Sequence, residues 1–244
     1  GCMARGRAVA VVALLVLSGC QGFDGGGGET VTPAPVPTAG GEVTGDAEAV
    51  ADRHRRSLDN RSHTTTVSLS VTYPNGTTAR LRDEFVVRSD GSYRYHRRVS
   101  GPYPQDVSNV TLWQADATEY RRVDSGPGGT SVRTSDAGGL ADRTVSGFLR
   151  RALTGFDVTV DQGSDRTRLT GEQTDSLGVP LPDDLRNARN GTLEVEIRDG
   201  IVRWVTVRAG ADHPSLDRSV SVRVRVTVQR VGATDPTRPA WARE

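Results

Sequence analysis

Cys20 is the residue whose neighbours most clearly prescribe a chemistry. It ends the run Leu14-Leu15-Val16-Leu17-Ser18-Gly19-Cys20. A leucine, two small residues and a cysteine form the pattern of a lipobox. Chains with that pattern are cut just before the cysteine, and its thiol carries a lipid that holds the protein at a membrane surface. The leader fits: Arg5 and Arg7 precede an unbroken apolar run over residues 8–17. Ten helical residues span roughly 15 Å, half of a hydrocarbon core of ~30 Å, so the run suits a signal peptide and is too short to cross. Residues 1–19 are expected to be a lipoprotein signal peptide, with Met3 as the natural start.

Asparagine is the second reactive type with a telling context. Four of the five asparagines, Asn60, Asn75, Asn109 and Asn190, head an N-x-Ser/Thr triplet, which is acceptor chemistry for N-linked sugar on an exported surface. Asn75-Gly76 and Asn190-Gly191 also have turn chemistry, and the two roles are compatible.

The other reactive side chains are dispersed. His54, His63, His96 and His213 lack metal-ligand spacing, and no metal or cofactor is implied. There is no Gly-x-Ser-x-Gly elbow, no His-Glu-x-x-His and no Gly-x-Gly-x-x-Gly between a strand and a helix. All 31 basic residues are arginine, so Walker and Schiff-base lysines are excluded. Removing Arg5 and Arg7 with the leader leaves 29 basic against 30 acidic residues, which is no footprint for nucleic acid. Cys20 is the only cysteine after the leader, so no internal disulfide can form. Asp83 is the odd carboxylate: it interrupts an apolar face and is expected to pair with a nearby arginine.

The elements around these residues follow from periodicity. Residues 20–45, rich in Gly, Pro and Thr, form a flexible tether after the lipidated cysteine. Ala47, Val50, Ala51, His54 and Leu58 share one helical face. Val67, Leu69, Val71 and Tyr73 alternate on a strand, Pro74-Asn75-Gly76 turns, and Ala79, Leu81, Phe85 and Val87 return. Tyr93, Tyr95 and Val99 continue the meander. Residues 110–113 and 118–123 suggest a hairpin, residues 124–139 a Gly/Ser/Asp-rich loop, and residues 140–153 a second helix. Phe156, Val158 and Val160 resume strand alternation, and Pro182 can start a short helix to about Asn190. Asp199-Gly200 is a hairpin turn; its simplest register sets Ile197 opposite Val202, Val195 opposite Trp204 and Glu196 opposite Arg203. Val220 to Val228 alternate with polar residues as a half-buried strand.

These elements make residues 46–231 a single α+β domain, followed by a tail over 232–244. The expected architecture is a curved antiparallel β-sheet, a half-barrel of about eight or nine strands, with two or three helices against its concave face. Phe85, Tyr95, Trp113, Phe148 and Trp204 are the aromatics expected to line its core or a ligand cavity.

The order lipobox, tether, short helix ending at Leu58-Asp59-Asn60-Arg61-Ser62, then a strand and Tyr73-Pro74-Asn75-Gly76-Thr77, resembles the tethered lipoproteins of halophilic archaea, although that group is usually more acidic. At fold level the layout is similar to half-barrel lipoprotein carriers of the LolA and LppX type. That resemblance implies a curved sheet and helices enclosing an apolar cavity for acyl chains. The leading expectation is therefore a non-enzymatic lipoprotein on the extracytoplasmic face of the membrane, anchored through Cys20, that binds a lipid or other apolar molecule. One alternative is a glycosylated cell-surface structural or interaction module without a ligand. The other is an enzyme, which would show as titratable side chains converging in one pocket. The sequence sets no oligomeric state.

Overall fold

The computed structural model describes residues 47–102, 109–124, 129–137, 142–174, 176–179, 181–182, 184–216 and 218–242. Cys20 and the tether lie outside them.

Helix α1 (Ala47–Leu58) buries Ala47, Ala51, His54 and Leu58, the face set by the i, i+4 spacing of its small and apolar residues. It ends where Asn60 takes the left-handed conformation (φ 56°) that asparagine tolerates. Strands β1 (His63–Thr72), β2 (Thr78–Val87), β3 (Tyr93–Ser100), β4 (Asn109–Ala115), β5 (Thr118–Asp124) and β6 (Thr130–Asp136) form a meander. Helix α2 (Ser146–Thr154) follows. A second meander then returns through β7 (Phe156–Gln162), β8 (Thr167–Gln173), β9 (Arg186–Arg198), β10 (Ile201–Asp212) and β11 (Val220–Gln229). Among the described residues the strands form one open, curved antiparallel sheet in the order β6-β5-β4-β3-β2-β1-β11-β10-β9-β8-β7. The two meanders meet along the β1–β11 seam.

Chain length explains the curvature. A flat sheet of this order would be about 48 Å wide at ~4.8 Å per strand gap. The link from Asp136 to Phe156 joins its two edges with a nine-residue helix and about ten other residues. Fully stretched and collinear, those residues reach only about 50 Å. Because α2 packs on α1 and β7, the link has no such slack, and the edges must curl toward each other.

The helices lie on the inner face. Ala51, Phe148, Leu149, Ala152 and Leu153 pack with Val71, Leu193, Val205, Val207, Val222 and Val224 in one cluster. His54 fixes α1 in place: the Val202 N–H donates to its Nδ1 (3.1 Å), and its Nε2 lies 2.8 Å from the Thr144 carbonyl. Those partners set the neutral tautomer with the proton on Nε2. Burial holds its pKa down at about 4.

Several expectations need correction. The sheet has eleven strands, not eight or nine. Part of the expected loop at 124–139 is β6, whose seven residues are all exposed; such a strand has no buried face to produce alternation, and only its pairing to β5 defines it. The helix expected after Pro182 is a single turn, with Leu185 N–H donating to the Pro182 carbonyl (2.9 Å), followed by β9. There the polar run Arg186–Asn190 pairs irregularly with the end of β10 and is held by an Arg189–Asp212 ion pair (2.8 Å). Helix α2 begins at Ser146 because Val145 adopts a left-handed φ of 56°, a strained choice for a β-branched residue, and the Asp142 carboxylate accepts the Gly147 N–H (2.5 Å).

The Asp199-Gly200 hairpin starts in the expected register, with Ile197 opposite Val202, and then slips by one residue. Val195 faces Val205 and Glu196 faces Trp204. Arg203 is the extra residue of a β-bulge and pairs with Asp199 (3.4 Å), while Glu196 pairs with Arg198 (2.9 Å).

After β11 the chain stays on the domain. Gly232 and Thr234 donate to the main-chain and side-chain oxygens of Ser62. Pro236 is buried, Arg238 stacks over the Tyr120 ring (5.0 Å), and Ala242 is fully buried.

Candidate functional site

The inner face changes character across the β1–β11 seam. Val160, Leu169, Val195, Val205, Val226 and Val67 form one cross-strand row running from β7 to β1. The same row continues as Asp83 and Arg97 on β2 and β3. The next rows read Thr65, Phe85, Tyr95, Leu112 and then His63, Val87, Tyr93, Gln114. The β1–β4 wing thus carries an aromatic and polar patch where the other wing carries valine and leucine.

The odd carboxylate, Asp83, is satisfied as its setting predicts. The Arg97 guanidinium donates through Nε to Oδ1 and through Nη2 to Oδ2, both at 2.7 Å, and the Tyr95 hydroxyl donates to Oδ1 at 2.9 Å. The Asp83 side chain is 14% exposed, so this fork holds a mostly desolvated charge in place. The hydrogen bond to Asp83 raises the pKa of Arg97, and burial followed by the Asp83 charge raises that of the Tyr95 phenol. Both keep their protons across the physiological range.

Around this anchor, Phe85 lies 4.9 Å from Tyr95 and 6.5 Å from Tyr93, ring centre to ring centre. Val87 and Leu112 complete a buried cluster separate from the aliphatic core. Two buried polar atoms at its border make no hydrogen bond: Thr65 Oγ1 and Gln114 Oε1. Leaving such a group unpaired costs about 1–3 kcal/mol, so two together call for an explanation. The His63 Nδ1 lies 2.9 Å from the Arg61 carbonyl, and burial lowers its pKa.

A cleft of about 520 Å³ opens at this end of the domain. Leu58, His63 and Val87 are among its lining residues, and Val87 and His63 also end the aromatic rows. Arg55, Arg61, Arg88, Arg143 and Arg150 stand around it. Arg143 stacks over the Tyr93 ring (4.7 Å) and donates to the Gly91 carbonyl, which ties the segment before α2 to the β2–β3 turn. Asp59, Asp90 and Asp142 also line it, and this mixture of apolar surface with guanidinium-rich polar groups suits an amphiphile.

The five expected aromatics do not converge. Phe85 and Tyr95 meet on the inner face, and Phe148 belongs to the aliphatic core under α2. Trp113 lies opposite Arg94 and Tyr120 on the outer face, buried, with Nε1 unpartnered. Trp204 is turned to the outer face by the bulge at Arg203 and is half-buried. The sequence reading missed Thr65 and His63, although both share the odd-numbered parity of Val67. It also missed Gln114, which it placed in a turn.

Asn60, Asn75, Asn109 and Asn190 are all exposed. Asn75 Oδ1 accepts the Thr77 N–H (2.9 Å), and Asn109 Oδ1 accepts the Val99 N–H (3.2 Å). Among the described residues no three His, Cys, Asp or Glu side chains group as a metal site, and no helix is long and apolar enough to cross a membrane.

No protein-family model matches the sequence, and no curated protein matches it. Solved structures similar to the chain include LprF from Mycobacterium bovis, at 12% identity and a TM-score of 0.39, covering 83% of this chain and all of that one. Another is a LolA superfamily protein from Nitrosomonas europaea, at 8% identity and a TM-score of 0.26, covering 78% of this chain and 94% of that one.

Proposed function

We propose that this chain is a non-enzymatic extracytoplasmic lipoprotein, anchored through a lipid on Cys20, that binds a lipid or other apolar molecule with a polar end. The observation that carries this reading is the inner face of β1–β4. It sets aromatic rings beside buried polar atoms that have no partner, next to an arginine-rimmed cleft. A bound amphiphile would enter the cleft at Leu58, His63 and Val87, part the buried cluster of Phe85, Tyr93 and Tyr95, and offer hydrogen bonds to Thr65 and Gln114. The lipobox context of Cys20 supports the anchor, and the exposed sequons at Asn60, Asn75 and Asn190 support sugar on the outward surface.

Native mass spectrometry of a Cys20→Ser form produced in its own host tests the binding. A non-covalent lipid mass is expected, and it should weaken in Thr65→Val. A bare protein mass in every preparation overturns the carrier. Fractionation tests the anchor separately: the wild-type chain should stay with membranes and Cys20→Ser should not. A second reading, a glycosylated surface module without a ligand, is favoured by the filled aliphatic half of the inner face, and the bare mass would select it.

A further inference from the structure

The outer face of the sheet segregates charge that the near-neutral total conceals. On β7 to β9 the outward positions include Asp157, Asp161, Glu172 and Glu194. Across β11, β1, β2 and β3 they include Arg223, Arg225, Arg80, Arg82 and Arg98, with serines between them on β1. Two like-charged pairs sit directly opposite each other, Arg82 with Arg98 and Arg208 with Arg223. Such pairs are destabilising unless something neutralises them. Only Arg82 and Arg208 have acidic partners, Glu84 (3.3 Å) and Glu194 (3.1 Å). Arg80, Arg98, Arg223 and Arg225 are exposed and form no ion pair among the described residues. At its β3–β5 end the patch opens into a cleft of about 540 Å³ where Arg80, Arg82, Arg98 and Arg122 stand together with His96.

We propose that this arginine face docks on an anionic lipid bilayer. The cations lie on β11, β2 and β3 on either side of β1, a width of some 15 Å at about 4.8 Å per gap, which fits a plane of phosphate headgroups better than a single small anion. The inference rests on the lipid-anchor reading in one respect. A single acyl chain gives marginal membrane attachment, and a basic face supplies the second contact that stable anchoring needs. The tether of some 25 residues, about 80 Å when extended, is long enough for any face of the domain to reach the bilayer. The acidic outer face of β7–β9 is repelled by the same surface, so the domain tilts with β1–β3 toward the headgroups. Asn109 borders the arginine cleft, and this docking requires it to be free of sugar.

The test uses the chain carrying Cys20→Ser, so that no covalent lipid contributes. It is sedimented with vesicles of phosphatidylglycerol and phosphatidylcholine, and with phosphatidylcholine alone, at low and high salt. Binding to the anionic vesicles alone, lost at high salt, is expected. Replacing Arg82, Arg98, Arg223 and Arg225 by glutamine should weaken it at least 100-fold, at roughly fivefold per arginine. Replacing the remote Arg133, Arg166, Arg168 and Arg186 by glutamine should leave most of it. Circular dichroism checks that both variants fold, and relief of like-charge pairs makes the first no less stable. The proposal is overturned by no binding at low salt, by equal losses in both variants, by sugar on Asn109, or by a salt-sensitive dimer that only the first variant abolishes. None of these outcomes touches the ligand reading, because native mass spectrometry reads retained lipid in the absence of any vesicle.

Discussion

On β7 to β11 the inward face is mainly aliphatic, with Phe156 at its edge, and the helices pack on it together with Leu69, Val71, Ala79 and Leu81 of β1 and β2; at the other end of β1 to β4 the inward rows hold Tyr93, Tyr95, Phe85, Gln114 and the Asp83–Arg97 pair. Both wings use the same antiparallel pairing, so the backbone does not distinguish them. Side-chain chemistry does. The first wing gains its stability chiefly from apolar burial under the two helices. The second retains polar groups that a purely structural core would have exchanged for methyl groups. On the proposed reading, stability resides chiefly in one wing and recognition in the other.

The largest expected effect sharpens that division. Leu193→Ala, in the aliphatic wing, should lower unfolding free energy by about 4 kcal/mol, with Leu112→Ala in the aromatic wing costing about 2 kcal/mol. Equal losses in denaturant titrations would mean that the wings share one core. Next comes pH. Folded His54 titrates at about 4 against an ordinary 6.5, so the unfolded chain takes up a proton that the folded chain refuses. Stability is therefore full above about 6.5 and falls as pH drops toward 4, by about 3 kcal/mol. The depressed pKa of His63 acts in the same direction. A urea midpoint that stays constant across that window would remove His54 as the clamp between α1, β10 and the segment before α2.

Asp83→Ala should cost about 2 kcal/mol, because it strands a half-buried guanidinium and a buried phenol, and it should disturb ligand retention as well. Retention without change would show that the pair serves packing alone. The smallest effect has the opposite sign. Thr65→Val removes a hydroxyl that has no partner and should raise the stability of the ligand-free protein by about 1 kcal/mol while weakening retention of bound lipid. A stability loss would reveal a hydrogen bond to solvent at that site.

Strands with one wet face were legible in the sequence. β1, β2 and β11 follow their alternation residue by residue, and Asp83 stood out because it broke a pattern. Where burial gives no contrast, periodicity is silent: β6 is exposed on both faces, and the start of β9 is a polar run that reads as helix or loop. The bulge at Arg203 carries no compositional mark, yet it turns Trp204 from the expected inner face to the outer one. The candidate site was half visible. Phe85 and Tyr95 declared themselves by size, whereas Thr65 and Gln114 matter through the absence of a partner, which only three-dimensional packing reveals. The arginine face was hidden for a related reason, since summing charges along a chain discards which strands carry them.

The β1–β11 seam has a kinetic consequence. Val67 pairs with Val226, and the partners of β1 in the sheet are β2 and β11. Each meander can assemble from neighbours in sequence, but the seam joins residues at nearly opposite ends of the domain. Closing a loop of that length opposes folding by roughly 4–5 kcal/mol in an unstructured chain, so the local hairpins form first and the seam zips last. A chain emerging from a translocation pore would remain two half-sheets with open valine edges until its final strand arrived. Deleting residues 220–229 would trap it there, exposed to aggregation at the moment when both edges most need each other.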